Sequence, residues 1–377
     1  MKRLLTLTSV LGALLGSKAA MAEYGLNMTQ GVTEVSKDIY DLHMMVFWVC
    51  VVIGVVVFGA MFYAIFAHRK SAGHKAAHFH ESTLVEFIWT GVPIIILVAM
   101  AIPASKTLID IEVLEKADMT VKITGHQWKW QYDYPEEGIG FISNLSQASK
   151  DAIDDREKGS VAKREALDES GDTYLLSVDN HLVLPVDTTV RFLITSNDVI
   201  HNWWVPALAV KQDANPGFIN DAWARATEIG TYRGQCAELC GKEHGFMPIV
   251  VDIVSQADYA TWVAEQQGAA AAAAEAASQT WSEDDLMAQG EVLYNTNCSG
   301  CHMKDGSGGY GPAIKGSSIA NGDAAGEHLN IVINGKNGMP SFKMLGDADL
   351  AAVITYERRA FGNTGSVVQP SDVTSAR

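Results

Sequence analysis

Basic residues are scarce in this sequence: 28 Lys and Arg stand against 44 Asp and Glu, a formal net charge of −16 over 377 residues. A surface of that sign repels phosphate backbones, which argues against nucleic acid as a partner, although it could steer a basic protein at low salt. Cysteine is scarce too. The five are Cys50, Cys236, Cys240, Cys298 and Cys301. Four of them fall in two tight local pairs, which excludes a disulfide scaffold and points to ligand or attachment sites. Cys50, alone in an apolar run, reads as packing. Charged residues make up only 19% against 48% hydrophobic. That balance rules out a disordered or collagen-like chain and fits a globular protein with some membrane-embedded length. A chain this long holds two or three domains.

The first 22 residues contain no acid. Lys2 and Arg3 precede the apolar stretch Leu4–Leu15, and Ala20-Met21-Ala22 offers small residues where a signal peptidase reads, so residues 1–22 are expected to be a cleaved signal peptide. Residues 44–67 carry no charge and are long enough to cross a bilayer as a helix. Residues 84–105 form a second span, interrupted by Pro93 and Pro103, which a membrane helix tolerates best beside neighbouring helices. Arg69, Lys70 and Lys75 lie between the spans and acids lie outside them, so both large soluble parts face outward. His74, His78 and His80 sit in that short basic loop without thiols or carboxylates arranged around them, and read as solvated rather than metal-binding. Glu86 opens the second span, where it must snorkel or find a partner.

Beyond Met119 the pattern changes to short runs rich in Val, Ile, Thr and aromatics, at 119–125, 173–178, 181–186, 189–196, 223–229 and 248–254, which predicts an antiparallel β-sandwich over 107–263. Residues 135–172 are rich in charge and poor in large apolar side chains, and read as a surface excursion without chemistry. The chemical centre is the C-x-E-x-C-x-x-x-H-x-x-M loop, made by Cys236, Glu238, Cys240, His244 and Met247, with His201 from an earlier strand end. Soft sulfur with imidazole suits copper. Two cysteines and two histidines also satisfy a structural zinc, although the thioether is a donor zinc seldom uses. Two thiolates in one loop can bridge two metal ions.

The hairpin, the segment Gly125-His126-Gln127-Trp128-Lys129-Trp130, His201 in its D-V-I-H context and the copper loop together resemble cytochrome c oxidase subunit II over about residues 30–265. The resemblance implies a cupredoxin-like sandwich bearing the binuclear CuA centre. It makes Cys236 and Cys240 the bridges, places His201 and His244 on separate coppers, and gives Met247 and the Glu238 carbonyl as weak ligands. By the same resemblance the Glu238 side chain faces a magnesium shared with subunit I, Trp128 is the indole that receives electrons, and Glu86 marks the mouth of a proton channel. Lys129 stands where many relatives have an aromatic, and Phe218 replaces a common arginine.

Gly268–Ser278 is almost all alanine, so 264–280 reads as a linker, either a loose tether or a short helix. Ser282 with Asp285 predicts a helix start, and that helix should run to about Asn297. The next residues, Cys298-Ser299-Gly300-Cys301-His302, have the spacing at which two thiols form thioethers with haem and the adjacent imidazole reaches iron. A redox C-x-x-C is the competing reading, but the immediate histidine, the glycine-rich run and Gly338-Met339-Pro340 speak against it. Met339 is the expected sixth ligand, with Met344 next and His328 third. Residues 281–361 resemble a class I cytochrome c, an all-α domain in which the Pro312 carbonyl orients His302. Asp347–Phe361 is its closing helix, with Tyr356 packing near Gly290, and 362–377 remain as a tail.

Taken together, the residues and the resemblance imply a multi-pass subunit of the bacterial inner membrane, with its soluble domains on the periplasmic side. Such a subunit would pass electrons from one covalent haem c to CuA and on to subunit I, where oxygen reduction is coupled to proton translocation. Its expected partners are subunit I, subunit III and a soluble cytochrome c. A nitrous oxide reductase would share the copper loop but lack the hairpin, and a membrane-tethered zinc and haem carrier would hold zinc in place of copper.

Overall fold

The computed structural model describes residues 27–73, 78, 80–114, 116–157, 173–322 and 325–377. The expected signal peptide, His74 and residues 158–172 of the excursion lie outside the described residues. The chain divides into two compact units, one holding Asp38–Met100 with the residues up to Gln30, the other Gly31–Lys37 with Ala101–Arg377.

Two long helices, α1 (Glu34–Ala67) and α2 (Thr83–Glu112), contain the uncharged runs. Both are long and apolar enough to cross a membrane, and none of their apolar windows is buried by the rest of the protein. Side chains such as Val55, Phe58, Phe87 and Ile95 face outward, as lipid-facing residues do. Cys50 is exposed on α1, so it does not pack in a protein core as its apolar setting suggested. Glu86 lies in the first turn of α2. His78 and His80 are exposed and belong to no cluster of donors among the described residues.

Among the described residues of the second unit, ten strands form two five-stranded sheets: β1 (Met119–His126), β2 (Lys129–Tyr134), β3 (Ile139–Ser143), β4 (Leu182–Pro185), β5 (Val190–Ser196), β6 (His201–Val205), β7 (Val210–Ala214), β8 (Asn220–Ala224), β9 (Gly230–Cys236) and β10 (Pro248–Val254). Their orders are β3-β2-β1-β5-β8 and β4-β10-β9-β6-β7. The inner faces close over Val121, Ile123, Trp130, Phe192, Ile194, Trp203, Ile249 and Val251, all essentially solvent-free, as the period of two requires.

Four expectations need correction. The sandwich is mixed: β1 pairs with β5 in parallel, as β10 does with β4. Both pairings join distant segments, which no local pattern reports. Residues 173–178 are not a strand, because Leu175 turns to φ 61° and only Val178 bridges, to Leu145. Residues 223–229 straddle the end of β8 and the approach to β9. The excursion also begins later than expected: β3 is a full partner of β2, joined through a turn at Gly138. Only after Ser143 does the chain leave the sheet, forming α3 (Gln147–Glu157).

The alanine run is helical. It lies in α4 (Gln256–Ala277), capped by Ser255 and roughly 33 Å long at about 1.5 Å per residue. Its first turns pack Tyr259 and Trp262 on the sandwich, with Trp262 5.2 Å from Tyr134. The helices of the C-terminal domain are α5 (Glu283–Asn297), α6 (Ser299–His302), α7 (Ser318–Asn321), α8 (Gly326–Asn334), α9 (Asp347–Arg359) and α10 (Pro370–Ala376). Ser282 caps α5, its hydroxyl accepting from Asp285 N at 3.1 Å. α5 and α9 cross at Gly290, where a Cβ would lie 2.2 Å from the Ala352 carbonyl and 2.7 Å from the Tyr356 Cβ. Glycine is required there by close helix approach. Residues 362–377 are not a loose tail. Val368 and Val373 are fully buried, and Arg358 donates to Ser366 O at 2.8 Å and Ile319 O at 3.1 Å.

Candidate metal and haem sites

His201 opens β6, Cys236 closes β9, and these strands pair so that Trp203 faces Cys236. The loop from Ala237 returns to β10 at Met247, whose carbonyl accepts from Cys236 N at 3.0 Å. Cys236 Sγ lies 3.8 Å from Cys240 Sγ and 4.0 Å from His201 Nδ1, and Cys240 Sγ lies 3.6 Å from His244 Nδ1. The Glu238 carbonyl is 3.3 Å from Cys236 Sγ, and Met247 is 1% exposed. The side chains of His201, Cys236 and Cys240 are buried together with their donor atoms within 4.8 Å of one another, a geometry able to hold a metal. The Cys240 thiol hydrogen-bonded to it, helped by His201, brings the Cys236 thiol down to about 3, while the same pairing drives Cys240 up. Two thiolates this close repel, and positive charge between them relieves the repulsion.

Two neighbours complete the site. Asp198, which sequence reasoning did not assign, accepts from Gln127 N at 2.7 Å and lies 2.8 Å from His201 Nε2, turning Nδ1 toward the thiols. The D-V-I-H spacing was the available signal. Gly125 on β1 makes room: a Cβ there would sit 2.7 Å from the His201 ring. Trp128, 8% exposed, donates from its indole nitrogen to the Cys240 carbonyl at 3.2 Å. The Glu238 side chain is exposed.

The second site is a cavity of about 440 Å³, within the range of cofactor pockets. It is lined by Cys298, Cys301, His302, Met339, Phe342 and Glu357, and also by Gln127 and Lys129 of the sandwich. His302 Nδ1 donates to the Pro312 carbonyl at 2.7 Å, which leaves the Nε2 lone pair available to a metal. Gly311 crosses the ring so closely that a Cβ would lie 2.7 Å from His302 Cε1. Burial pushes the Cys298 and Cys301 thiols up, so both are held neutral. Both Met339 and Met344 pack half-buried on the helical core, but of the two Met339 lines the cavity. His328 also lines it, but its Nε2 is 2.8 Å from Glu357, and its Nδ1 is buried without a partner.

The two sites meet. Tyr310 packs edge-on against Trp128 at 5.4 Å and 71°, and Cys301 packs on the sandwich cluster that contains Cys240. The family described as cytochrome c oxidase subunit II, periplasmic domain, matches residues 119–254, and its transmembrane domain family matches 21–107. A probable cytochrome c oxidase subunit 2 of Rickettsia bellii (strain RML369-C) is 37% identical over 276 residues, covering 72% of this chain and 95% of its own. The chain belongs to the cytochrome c oxidase subunit II family. Residues 285–356 of this subunit II match the family described as cytochrome c oxidase, cbb3-type, subunit III, which makes its C-terminal part a cytochrome c domain. Cytochrome c oxidase subunit 2 of Cereibacter sphaeroides is 37% identical over 247 residues, 65% of this chain and 81% of that one. The crystal structure of the periplasmic domain of subunit II of Bradyrhizobium japonicum cytochrome oxidase is 38% identical, covering 41% of this chain and 98% of its own, with a TM-score of 0.35. This subunit II is therefore a membrane protein of a haem-copper oxidase, with two transmembrane helices, a cupredoxin-like sandwich and a cytochrome c domain.

Proposed function

We propose that this subunit takes in electrons at a covalent haem c, passes them through a binuclear CuA centre and delivers them to subunit I, which reduces oxygen to water with proton translocation. The observation that carries this reading is the contact of Tyr310 with Trp128, whose indole is hydrogen-bonded to the Cys240 carbonyl. The donors fit copper: two soft sulfurs 3.8 Å apart, with an imidazole beside each, already gathered and largely buried. Bound there, copper supplies a one-electron couple. Cys236 and Cys240 would bridge, His201 and His244 would each serve one copper, and Met247 and the Glu238 carbonyl would bind weakly. Asp198 holds the His201 ring, and the pairing of β6 with β9 fixes the donors on rigid strands, so little rearrangement accompanies a change of charge.

The haem site fits equally. The neutral thiols of Cys298 and Cys301 would add to haem, Pro312 orients His302, and Met339 would be the sixth ligand, with Met344 outside the cavity lining. A thioether opposite imidazole raises a haem potential, as an electron acceptor requires. Magnesium is a weaker fit. Glu238 stands exposed and belongs to no donor group among the described residues, so such a site needs ligands from subunit I.

In this reading Trp128 is the indole through which copper is reached, and Glu86 lies at a proton-channel mouth in subunit I. Subunit III and a soluble cytochrome c complete the partners, and the soluble domains face the periplasm from the bacterial inner membrane. The test is metal and haem analysis of the purified chain. Two coppers per covalent haem are expected; zinc at parity with haem would replace this reading with that of a zinc and haem carrier.

A further inference from the structure

Two lysines of the sandwich end on the same helix of the cytochrome domain. Lys129, the first residue of β2, is 6% exposed, with its Nζ 3.4 Å from the Asn297 carbonyl and 4.4 Å from the Phe342 ring centroid. Lys150, on α3 in the excursion, donates to the Thr296 carbonyl at 3.2 Å. Thr296 and Asn297 are the last residues of α5, where carbonyls lack helical partners and the helix dipole is negative. Cys298 follows directly. The amines therefore grip the haem-attachment segment at its root.

Their grip closes a surface. Lys129 adjoins Trp128, over which Tyr310 lies, and Gln127 Nε2 reaches the Tyr310 hydroxyl at 3.4 Å. An indole already 8% exposed cannot be covered by a second protein while the cytochrome domain is seated.

We propose that Lys129 and Lys150 form a latch that keeps the cytochrome domain seated on Trp128, shutting that face to soluble electron-carrying proteins and confining them to the outer surface of the cytochrome domain. This gives the excursion a role in docking and rests on the electron-intake reading above. Two hydrogen bonds make the latch breakable by substitution without dismantling either core. By either route one electron leaves the reduced donor and appears on this chain, with no bond made or proton exchanged.

The experiment uses the assembled oxidase and a reduced soluble mono-haem cytochrome c, following haem and copper absorbance separately in a stopped-flow instrument. In the unaltered enzyme copper reduction should always follow reduction of the covalent haem. In Lys129→Glu with Lys150→Glu, carboxylates face the carbonyl end of α5. Copper should then gain a donor-dependent phase that does not wait for the haem, while haem-to-copper equilibration slows roughly tenfold. Copper content should be unchanged, Lys150→Glu, which lies off the haem cavity, should keep its full haem, and the paired Arg variants should restore the original order. If the double variant does not assemble, Lys150→Glu alone decides by the same order of reduction. Direct copper reduction in the unaltered enzyme, or an unchanged order in the Glu variants, overturns the latch. Failure of the haem ever to reduce copper would instead overturn the electron-intake reading.

Discussion

The copper and haem sites of this subunit are assembled in opposite ways. The side chains proposed for copper come from strand ends and a loop, yet His201, Cys236 and Cys240 bring their donor atoms within 4.8 Å of one another on rigid pairings. The haem site has a contiguous attachment motif but a wide cavity, lined by residues from several helices and from the sandwich. A small centre can be held by strand geometry, whereas a large cofactor needs a cavity that many elements close. The first should therefore lose its metal abruptly when one donor changes, and the second should change its properties by degrees.

The largest effect expected on that contrast is from Cys236→Ser. The sulfur that lies near Cys240, His201 and the Glu238 carbonyl disappears, so the copper of this subunit should be lost while covalent haem stays at one per chain, as read by metal analysis and haem staining. Met339→Ala should keep the covalent haem but lower its potential by on the order of 100 mV and slow turnover, as measured by redox titration. An unchanged potential would move the ligand role to Met344. Asp198→Asn removes the carboxylate that orients His201, and should weaken copper retention against a chelator roughly 10- to 100-fold without touching the haem spectrum.

The smallest effect concerns the seam between the sites. Burial, ahead of any neighbouring charge, brings the Lys129 amine from 10.5 to about 8. Between those values the folded chain binds fewer protons than the unfolded one, so stability rises with pH across that window, by on the order of 1 kcal/mol. Below about 8 the full cost of burying the ammonium is present, and a neutral amine still donates to Asn297. Thermal unfolding of the full chain from pH 7.5 to 10 should show this rise, and Lys129→Met should flatten it.

The sequence made legible whatever depends on near neighbours. The uncharged runs became α1 and α2, and Ser282 caps the helix that leads to Cys298. The spacing of the copper loop named Cys236, Cys240 and His244, which lie together. The false strand at 173–178 shows the limit: its composition is that of a strand, but the turn at Leu175 breaks the pairing. The alanine run allowed either tether or helix, and the packing of Tyr259 and Trp262 on the sandwich anchors the start of one continuous helix.

The sequence by itself determined the two long apolar helices, the C-x-x-C-H spacing and the kinds of side chain in the copper loop, because hydrophobic length and short spacings are properties of adjacent residues. Tertiary structure alone decided the parallel pairings of β1 with β5 and β10 with β4, the bond from Gln127 N to Asp198, and the contacts of Lys129, Lys150 and Tyr310 across the two soluble domains. The contacts of Lys129 and Lys150 join segments well over a hundred residues apart, and only the packing of sandwich and cytochrome domain in one folded unit brings them within hydrogen-bonding distance.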